Sequence, residues 1–544
     1  MFRFLLRKLR LAQQFKENAT PSAGYRLHKS LEENIALFRA ELGESPDVAI
    51  RRFTLNLKKG IKAAIIFVEG LMDQQVVYDC ILHPLMIEAK KETWTVDSDL
   101  LGFIQENLIT ASGLAQEDRF PPLVDAVLGG DTVLLIDGQT AALVVSTKNW
   151  EKRAIEEPDT EVTIMGPRDG FTEDLRTNTA LLRRKINYPG LVFEQMVIGR
   201  RTRTTVVVAY VQGIANEKIV EEVKARLKRI NTDMILDANY LTEFITDAPF
   251  SPFPTIAYTE RPDVAAARLL EGRVAVLVNN TPTILMMPSL FIEAFQSPDD
   301  YNDHFLYATF IRWLRYLAFL MSFLLPALFV ALTSYHQELI PTPLLISMAA
   351  AVEGTPFPVV IEVVAMGAVF EIIREAGVRL ARPIGQTISI VGALVIGEAV
   401  VSAGLVAAPT VIVVALTAIT SFVVPKQQEI AIILRLTLAV LAGILGAYGI
   451  IIGLLFTLAH LASLRSFGVP YFSPVIPLQV GDLKDVAVRA PLWAMWTRPQ
   501  ALEGQDSKRQ NFGERVPSSI AAEEPDRPPS APGKRKKEEK NRKK

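Results

Sequence analysis

Apolar and polar positions divide this chain in two. Up to about residue 300, short apolar runs alternate with charged stretches; from 313 to 464 charge almost disappears, apart from a few islands. In the first half, IKAAIIFV (61–68) reads as a buried strand, and a helix follows around Gln75–Lys90. TVLLID and TAALVVST (132–147) read as two strands joined at Asp137-Gly138, a hairpin signal. After a turn-rich break from Pro158 to Asp169 a second unit begins. It has a helix over about Thr172–Ile186, strands VFEQMVIG and TTVVVAYVQ (192–212) around an arginine-rich turn, and a helix over Glu217–Ile230. RVAVLVN (273–279) and TILMMP (283–288) form another hairpin. Two small α/β subdomains meeting near 150–165 are the expectation.

The second half reads differently. Tyr316 to Thr333 is eighteen uncharged residues, long enough to span a bilayer. Leu339 to Glu375 is longer, but Gly354, Pro356 and Pro358 interrupt it, and it carries Glu353, Glu362 and Glu371. Gln386–Gly404 and Pro409–Val424 read as a hairpin with a tiny connection. Leu436–Leu464 is a long run whose Gly443, Ala447, Gly449 and Gly453 favour close helix packing. The expected fold is therefore an α/β N-terminal region of two subdomains, followed by an α-helical, multi-spanning membrane domain. The boundaries are N-terminal helices over 1–45, subdomains over 46–157 and 158–300, and a membrane domain of about five apolar segments over 301–465. A membrane-proximal segment over 466–500 and a polybasic, disordered tail over 501–544 complete the chain.

Basic residues set the orientation. Arg312 and Arg315 precede the first span, Arg374, Arg379 and Arg382 mark a second basic loop, and Lys426 and Arg435 a third. The connections at 334–340 and 403–408 have no Lys or Arg. The N-terminal half and the tail are therefore expected on the cytoplasmic side. Both termini inside requires an even number of crossings, so either 339–375 or 436–464 is not a simple span.

Composition adds limits. The 544 residues carry a net charge of −1, too unevenly spread to name a partner. Cys80 is the only cysteine, which excludes an internal disulfide or a cysteine-based metal site and suits a reducing compartment. In MFRFLLRKLRLAQQFK, Arg3, Arg7, Lys8 and Arg10 interrupt any secretory core, and the apolar residues recur near helical spacing. That stretch suits either an anionic membrane surface or packing on its own domain. Lys534–Lys544 holds eight basic and two acidic residues, a composition that attracts anionic lipid.

No phosphate loop, dinucleotide fingerprint, serine elbow or zinc-hydrolase motif occurs, and the five histidines are scattered. Neither catalysis nor a cofactor or metal is expected. The arginine groups at 183–185 and 200–203 lack interleaved aromatics, so they read as solvated faces or subunit salt bridges rather than a nucleic-acid site. The sharper signal is carboxylate among apolar residues. Glu362, Glu398 and Glu353 are candidates for a pore or ion pathway, with interhelical hydrogen bonding as the competing role. Gly354, Pro356 and Pro358 are candidates for a gate or re-entrant break, with a plain kink as the alternative. Glu371 and Arg374, three apart, can pair at the interface. Glu362 and Glu371, nine apart, point to opposite helix faces. One subunit supplies too few spans to enclose a pore, so a channel here must be a closed oligomer.

Several long segments carry a resemblance: GPRDGFTEDLRTNTALLRRKI (166–186), SPFPTIAYTERPDVAAARLLEGRVAVLVNNTP (251–282), DDYNDHFLYATFIRWLR (299–315), and EGTPFPVVIEVV through VVSAG (353–404). Over about residues 45–500 the chain resembles the A subunit of GerA-type spore germinant receptors. NNTP (279–282) departs from the family's VDGTP-like form, which alters a hairpin turn. The resemblance implies a complex with a transporter-like B-type subunit that senses nutrient and a C-type lipoprotein. It also implies a pentameric, nutrient-gated cation channel in the spore inner membrane. Two other roles stay open: an accessory paralogue working with the dipicolinic acid export machinery, and a membrane scaffold without a pore.

Overall fold

The structure is a computed structural model. It describes residues 26–509 apart from 44, 57–59, 92–99, 112, 149–157, 159–160, 162, 380–394, 503, 505 and 507. The basic N-terminal stretch, Arg382 and the polybasic tail lie outside the described residues.

The N-terminal half forms two lobes, each built on a five-stranded sheet whose pairings are all antiparallel. In the first, α1 (Leu31–Leu42) precedes β1 (Val48–Thr54) and β2 (Lys62–Val68). Helical turns over 74–91 and α2 (Leu100–Asn107) lead to β3 (Leu114–Glu117), α3 (Phe120–Leu128), β4 (Thr132–Ile136) and β5 (Ala142–Val145). The helix expected around Gln75–Lys90 is broken into short pieces, with π-type turns over Tyr78–Leu82. Pro84 lacks the N–H that would continue the α-helical ladder there.

Alternation of side chains explains the uniform burial of β2. Ile65 and Phe67 pack on one face with Ile81, Leu85 and Ile104, while Ala64, Ile66 and Val68 pack on the other with Phe38 and Leu123. The centre of the sheet is covered on both faces, so β2, β4 and β5 are almost wholly apolar, whereas the edge strands β1 and β3 carry Arg51, Arg52, Gln116 and Glu117.

The second lobe repeats the first. α4 (Leu175–Lys185), β6 (Leu191–Ile198) and β7 (Thr204–Val211) come first. α5 (Glu217–Arg229), α6 (Ala238–Ile245), β8 (Ala257–Thr259), α7 (Pro262–Leu270), β9 (Val274–Val278) and β10 (Ile284–Met287) follow. The strand orders are β1-β2-β4-β5-β3 and β6-β7-β9-β10-β8, one topology used twice. Details repeat as well. Buried Asn34 accepts from His28 N at 2.8 Å and donates to His28 O at 2.7 Å. Buried Asn178 does the same with Thr172, at 2.8 and 2.6 Å. Gly130 and Gly272, both at positive φ, sit against the Leu71 and Ile214 carbonyls, where a Cβ would crowd the backbone.

Arg183, expected on a solvated face or in a subunit salt bridge, is buried instead. It forms a bidentate pair with Asp47 (2.9 Å) that ties the second lobe to the start of the first.

The helical half leaves the second lobe through α8 (Phe305–Ser334). α9 (Thr342–Val352), α10 (Val359–Arg379), a helical stretch over 395–402, α11 (Ala408–Ser421), α12 (Gln428–Leu445) and α13 (Ala447–Ser463) follow. Among the described residues two helices, Phe305–Ser334 and Pro425–Leu445, are long and apolar enough to cross a membrane; α9, α11 and α13 are apolar but shorter. The long run expected at Leu436–Leu464 is two helices folded back on each other. Gly446, at φ +62°, makes the turn, and Gly449 and Gly453 lie against Leu441 and Leu438. After α13 the chain returns to the second lobe. Arg498 Nε donates to Leu270 O at 2.8 Å, and Ser466 Oγ donates to Thr255 O at 2.6 Å.

Candidate functional site

The carboxylates of the helical half fall into three settings. Glu362, in the first turn of α10, is 1% exposed. Its Oε2 accepts from Ala407 N at 3.1 Å and Thr410 Oγ1 at 2.8 Å. Ala407 stands at the N-cap of α11, where its methyl cannot cap a helix, so Glu362 supplies from a neighbouring helix the acceptor that the local sequence lacks. A carboxylate at that positive helix end is favourable. Its second oxygen, Oε1, is buried with no hydrogen-bond partner among the described residues.

Glu353 and Glu398 are exposed and have no ion-pair partner among the described residues. Glu353 ends α9, a helix with no buried residue, and Leu344 and Ile346 beside it are also exposed. The backbone then breaks over 353–358, where Gly354, Pro356 and Pro358 are all exposed. Gly404, at φ +66°, lies beside the Gly354 carbonyl. The break and the turn before α11 therefore sit together, one turn of helix from Glu362.

Glu371 pairs with Arg374 at 2.6 Å and also with Arg435 of α12. The expected local pair is thus a cluster of two arginines and one carboxylate. Glu362 reaches α11 and Glu371 reaches α12, as opposite faces of one helix require. Between α8, α10, α11 and α12 lies a cleft of about 280 Å3, apolar except at its Glu371–Arg435 end.

The junction with the second lobe holds charged groups that the sequence did not single out as a site. Arg312, near the start of α8, is fully buried and pairs with Asp300 and Asp485, both at 3.0 Å. Lys426, just before α12, pairs with Glu161 of the inter-lobe segment at 2.7 Å. Burial raises the Glu161 carboxyl, but Lys426 and the hydrogen bonds from Thr259 and Glu260 N outweigh it and hold the carboxyl below its ordinary range. Burial pushes Glu271 above its ordinary range, against the pull of Arg273 and Arg509. Ser251 Oγ meets His460 Nε2 at 2.8 Å. Phe253, Phe291, Phe295, Phe319 and Tyr471 form an aromatic cluster that joins lobe to helices. The one sequence signal for Arg312 was a charge at the edge of a long apolar run.

At the far end, Tyr335 Oη donates to Gly443 O and Ile444 O at 2.8 and 3.0 Å, satisfying carbonyls that end α12. Among the described residues no group of three or more His, Cys, Asp or Glu could hold a metal ion.

Comparison with known proteins gives a consistent set. The family model described as Bacillus/Clostridium GerA spore germination protein matches residues 36–501. Spore germination protein KA of Bacillus subtilis (strain 168) is 42% identical over 488 residues, covering 89% of each chain. An uncharacterized membrane protein of the same organism, YfkQ, is 41% identical, covering 90% of this chain and 94% of its own. Among solved structures, the N-terminal domain of the A subunit of the Bacillus megaterium spore germinant receptor GerK3 is 37% identical. It matches with a TM-score of 0.40 over 49% of this chain and 98% of that one.

Proposed function

The chain belongs to the GerA family of spore germination proteins, and from that premise we propose that it is the A-type subunit of a nutrient germinant receptor. In this reading it acts in spore germination, in the inner membrane, with a transporter-like B-type subunit and a C-type lipoprotein. Copies of the chain close into a ring, none of whose members encloses a pore alone, and the ring is a nutrient-gated cation channel of five subunits.

One observation carries the reading. Glu353 and Glu398 stand exposed beside exposed apolar side chains of the helical half, Leu344 and Ile346 near the one and Val395 and Leu405 near the other, with no ion-pair partner among the described residues. A charge facing hydrocarbon is expensive, so these groups need a water-filled passage or a neighbouring subunit. A ring supplies both. The hairpin at Gly446 divides 428–463 into two legs, and the return of the chain to the second lobe supports an even number of crossings with both ends inside.

Glu398→Gln and Glu353→Gln, each introduced into spores, test it through nutrient-triggered potassium release. Release falls severalfold in each while the protein still assembles in the membrane. Normal release from both variants overturns the pore role.

A second reading has one observation behind it: a relative as similar as YfkQ carries no germination designation. On that reading the chain is an accessory to dipicolinic acid export. Deleting the gene then slows that export and leaves potassium release intact for every nutrient.

A further inference from the structure

α10 is loosely held. Of its 21 residues only Val359, Glu362 and Val363 are buried, all in its first two turns. Beyond them its side chains are exposed or half-buried, and the cleft of about 280 Å3 lies between it and α8, α11 and α12. Pro326, Val363, Gly367, Leu436 and Ala439 line it. Thr417 also borders it, but its hydroxyl is already bonded to Val413 O at 2.7 Å. Water has little to bind in such a space, so an apolar filler is favoured.

Charge stands at one end only. Glu371 and Arg435 line that end, Arg374 joins them through Glu371, and among the described residues the two arginines share that single carboxylate, which leaves one positive charge of the cluster uncompensated. Each guanidinium has five N–H donors, and Glu371 can occupy only some of them. Arg435 lies seven residues into α12, about 10 Å along its axis. Lys426, two residues before that helix, is bound to the lobe through Glu161. The arginines therefore sit toward the lobe-proximal end of the bundle, at the depth of headgroups in the leaflet that faces the lobe. Basic pockets between helices at that level recognise anionic lipid headgroups.

We propose that this cleft binds one anionic phospholipid, its phosphate on Arg374 and Arg435 and one acyl chain laid along Gly367 and Ala439. The proposal rests on the helical half lying in a bilayer. The bound lipid fills the space beneath α10 and supplies the missing negative charge, so it fastens the helix that carries Glu362 to the rest of the bundle.

The test is thermal unfolding of the full chain, purified in neutral detergent, with added dioleoyl phosphatidylglycerol, dioleoyl phosphatidylcholine or inorganic phosphate. Phosphatidylglycerol raises the melting temperature saturably; the other two do not. Gly367→Leu fills the cleft: a Cβ there meets nothing within 4 Å, and leucine also improves helix propensity. That variant melts cooperatively yet binds phosphatidylglycerol at least about tenfold more weakly, a loss of about 1.4 kcal/mol. Arg374→Gln, which keeps the Glu371–Arg435 pair, weakens the response similarly. Equal shifts from both lipids, a shift reproduced by phosphate alone, or an undiminished response in Gly367→Leu overturns the proposal. A change of oligomeric state in Gly367→Leu, with no lipid preference, also overturns it and assigns the cleft to a second copy of the chain. Failure of the membrane reading shows separately, as a chain that stays in the aqueous phase with vesicles of either lipid.

Discussion

The first lobe leaves the arginine before its last helix in solvent; the second buries its own. Arg119 stands just before α3 and Arg261 just before α7, and each helix has a proline in its first two positions. Arg119 is mostly exposed and pairs with Glu117, two residues away. Arg261 is fully buried and holds Asp263, Thr163 Oγ1 at 2.9 Å and Pro167 O at 2.7 Å. Twelve residues further along each lobe the contrast recurs. Asp131 pairs with Lys148, whereas Arg273 is buried against Glu293 and the Pro288 carbonyl. The two lobes therefore share a framework and differ at its loop positions. In the second lobe those positions hold the inter-lobe segment and the junction with the helices.

The sharpest break of this comparison comes from the arginines. Arg261→Ala should destabilise the second lobe by about 3 kcal/mol, because a fully buried guanidinium is lost from the half-buried Asp263 carboxylate and the buried Thr163 hydroxyl, and a cavity is left in its place. Arg119→Ala should leave the first lobe unchanged. Hydrogen exchange on the full chain reads the two lobes separately, and equal effects would remove the distinction.

A smaller and symmetrical effect is expected from the repeated asparagines. Asn34→Ala and Asn178→Ala should each cost about 2 kcal/mol, since each removes a buried side chain and two part-buried hydrogen bonds of about 1 kcal/mol in the same geometry. A large loss in one lobe with none in the other would show that the repeat is not energetic.

The smallest effect is the pH response of the junction. The depressed Glu161 contributes stability that is present above its unfolded value and lost as pH falls through its folded value. The raised Glu271 does the reverse: its contribution is present below its unfolded value and lost as pH rises through its folded value. Glu161→Gln should flatten the acid limb of stability against pH, and Glu271→Gln should raise stability near neutrality. The opposite pair of signs would refute the assignment.

Most strands were legible because buried sheets write themselves as apolar runs, as in Lys62–Val68 and Val274–Val278. β3, with the burial of Leu114 and Glu117 only partial, leaves no such run and was missed. The duplication was illegible because it lives in a few residues, Asn34 and Asn178 or Gly130 and Gly272, within otherwise different sequence. The Glu371–Arg374 pair follows from spacing alone, but its third member, Arg435, depends on how two helices meet. The cap that Glu362 provides to α11 depends on packing in the same way. Arg183 looked solvated because its neighbours are basic; burial against Asp47 is a tertiary fact.

The return of the chain to the second lobe has a mechanical consequence. α8 departs from that lobe and α13 comes back to it, so both are anchored in one rigid base by Arg312, His460 and the aromatic cluster. α8 has 30 residues and is about 45 Å long, so a base rotation of about 5° swings its tip by about 4 Å. Tyr335, just past that tip, grips the end of α12, and the sweep is handed on to a second helix. The lobe is the short arm of a lever and the bundle is the long one.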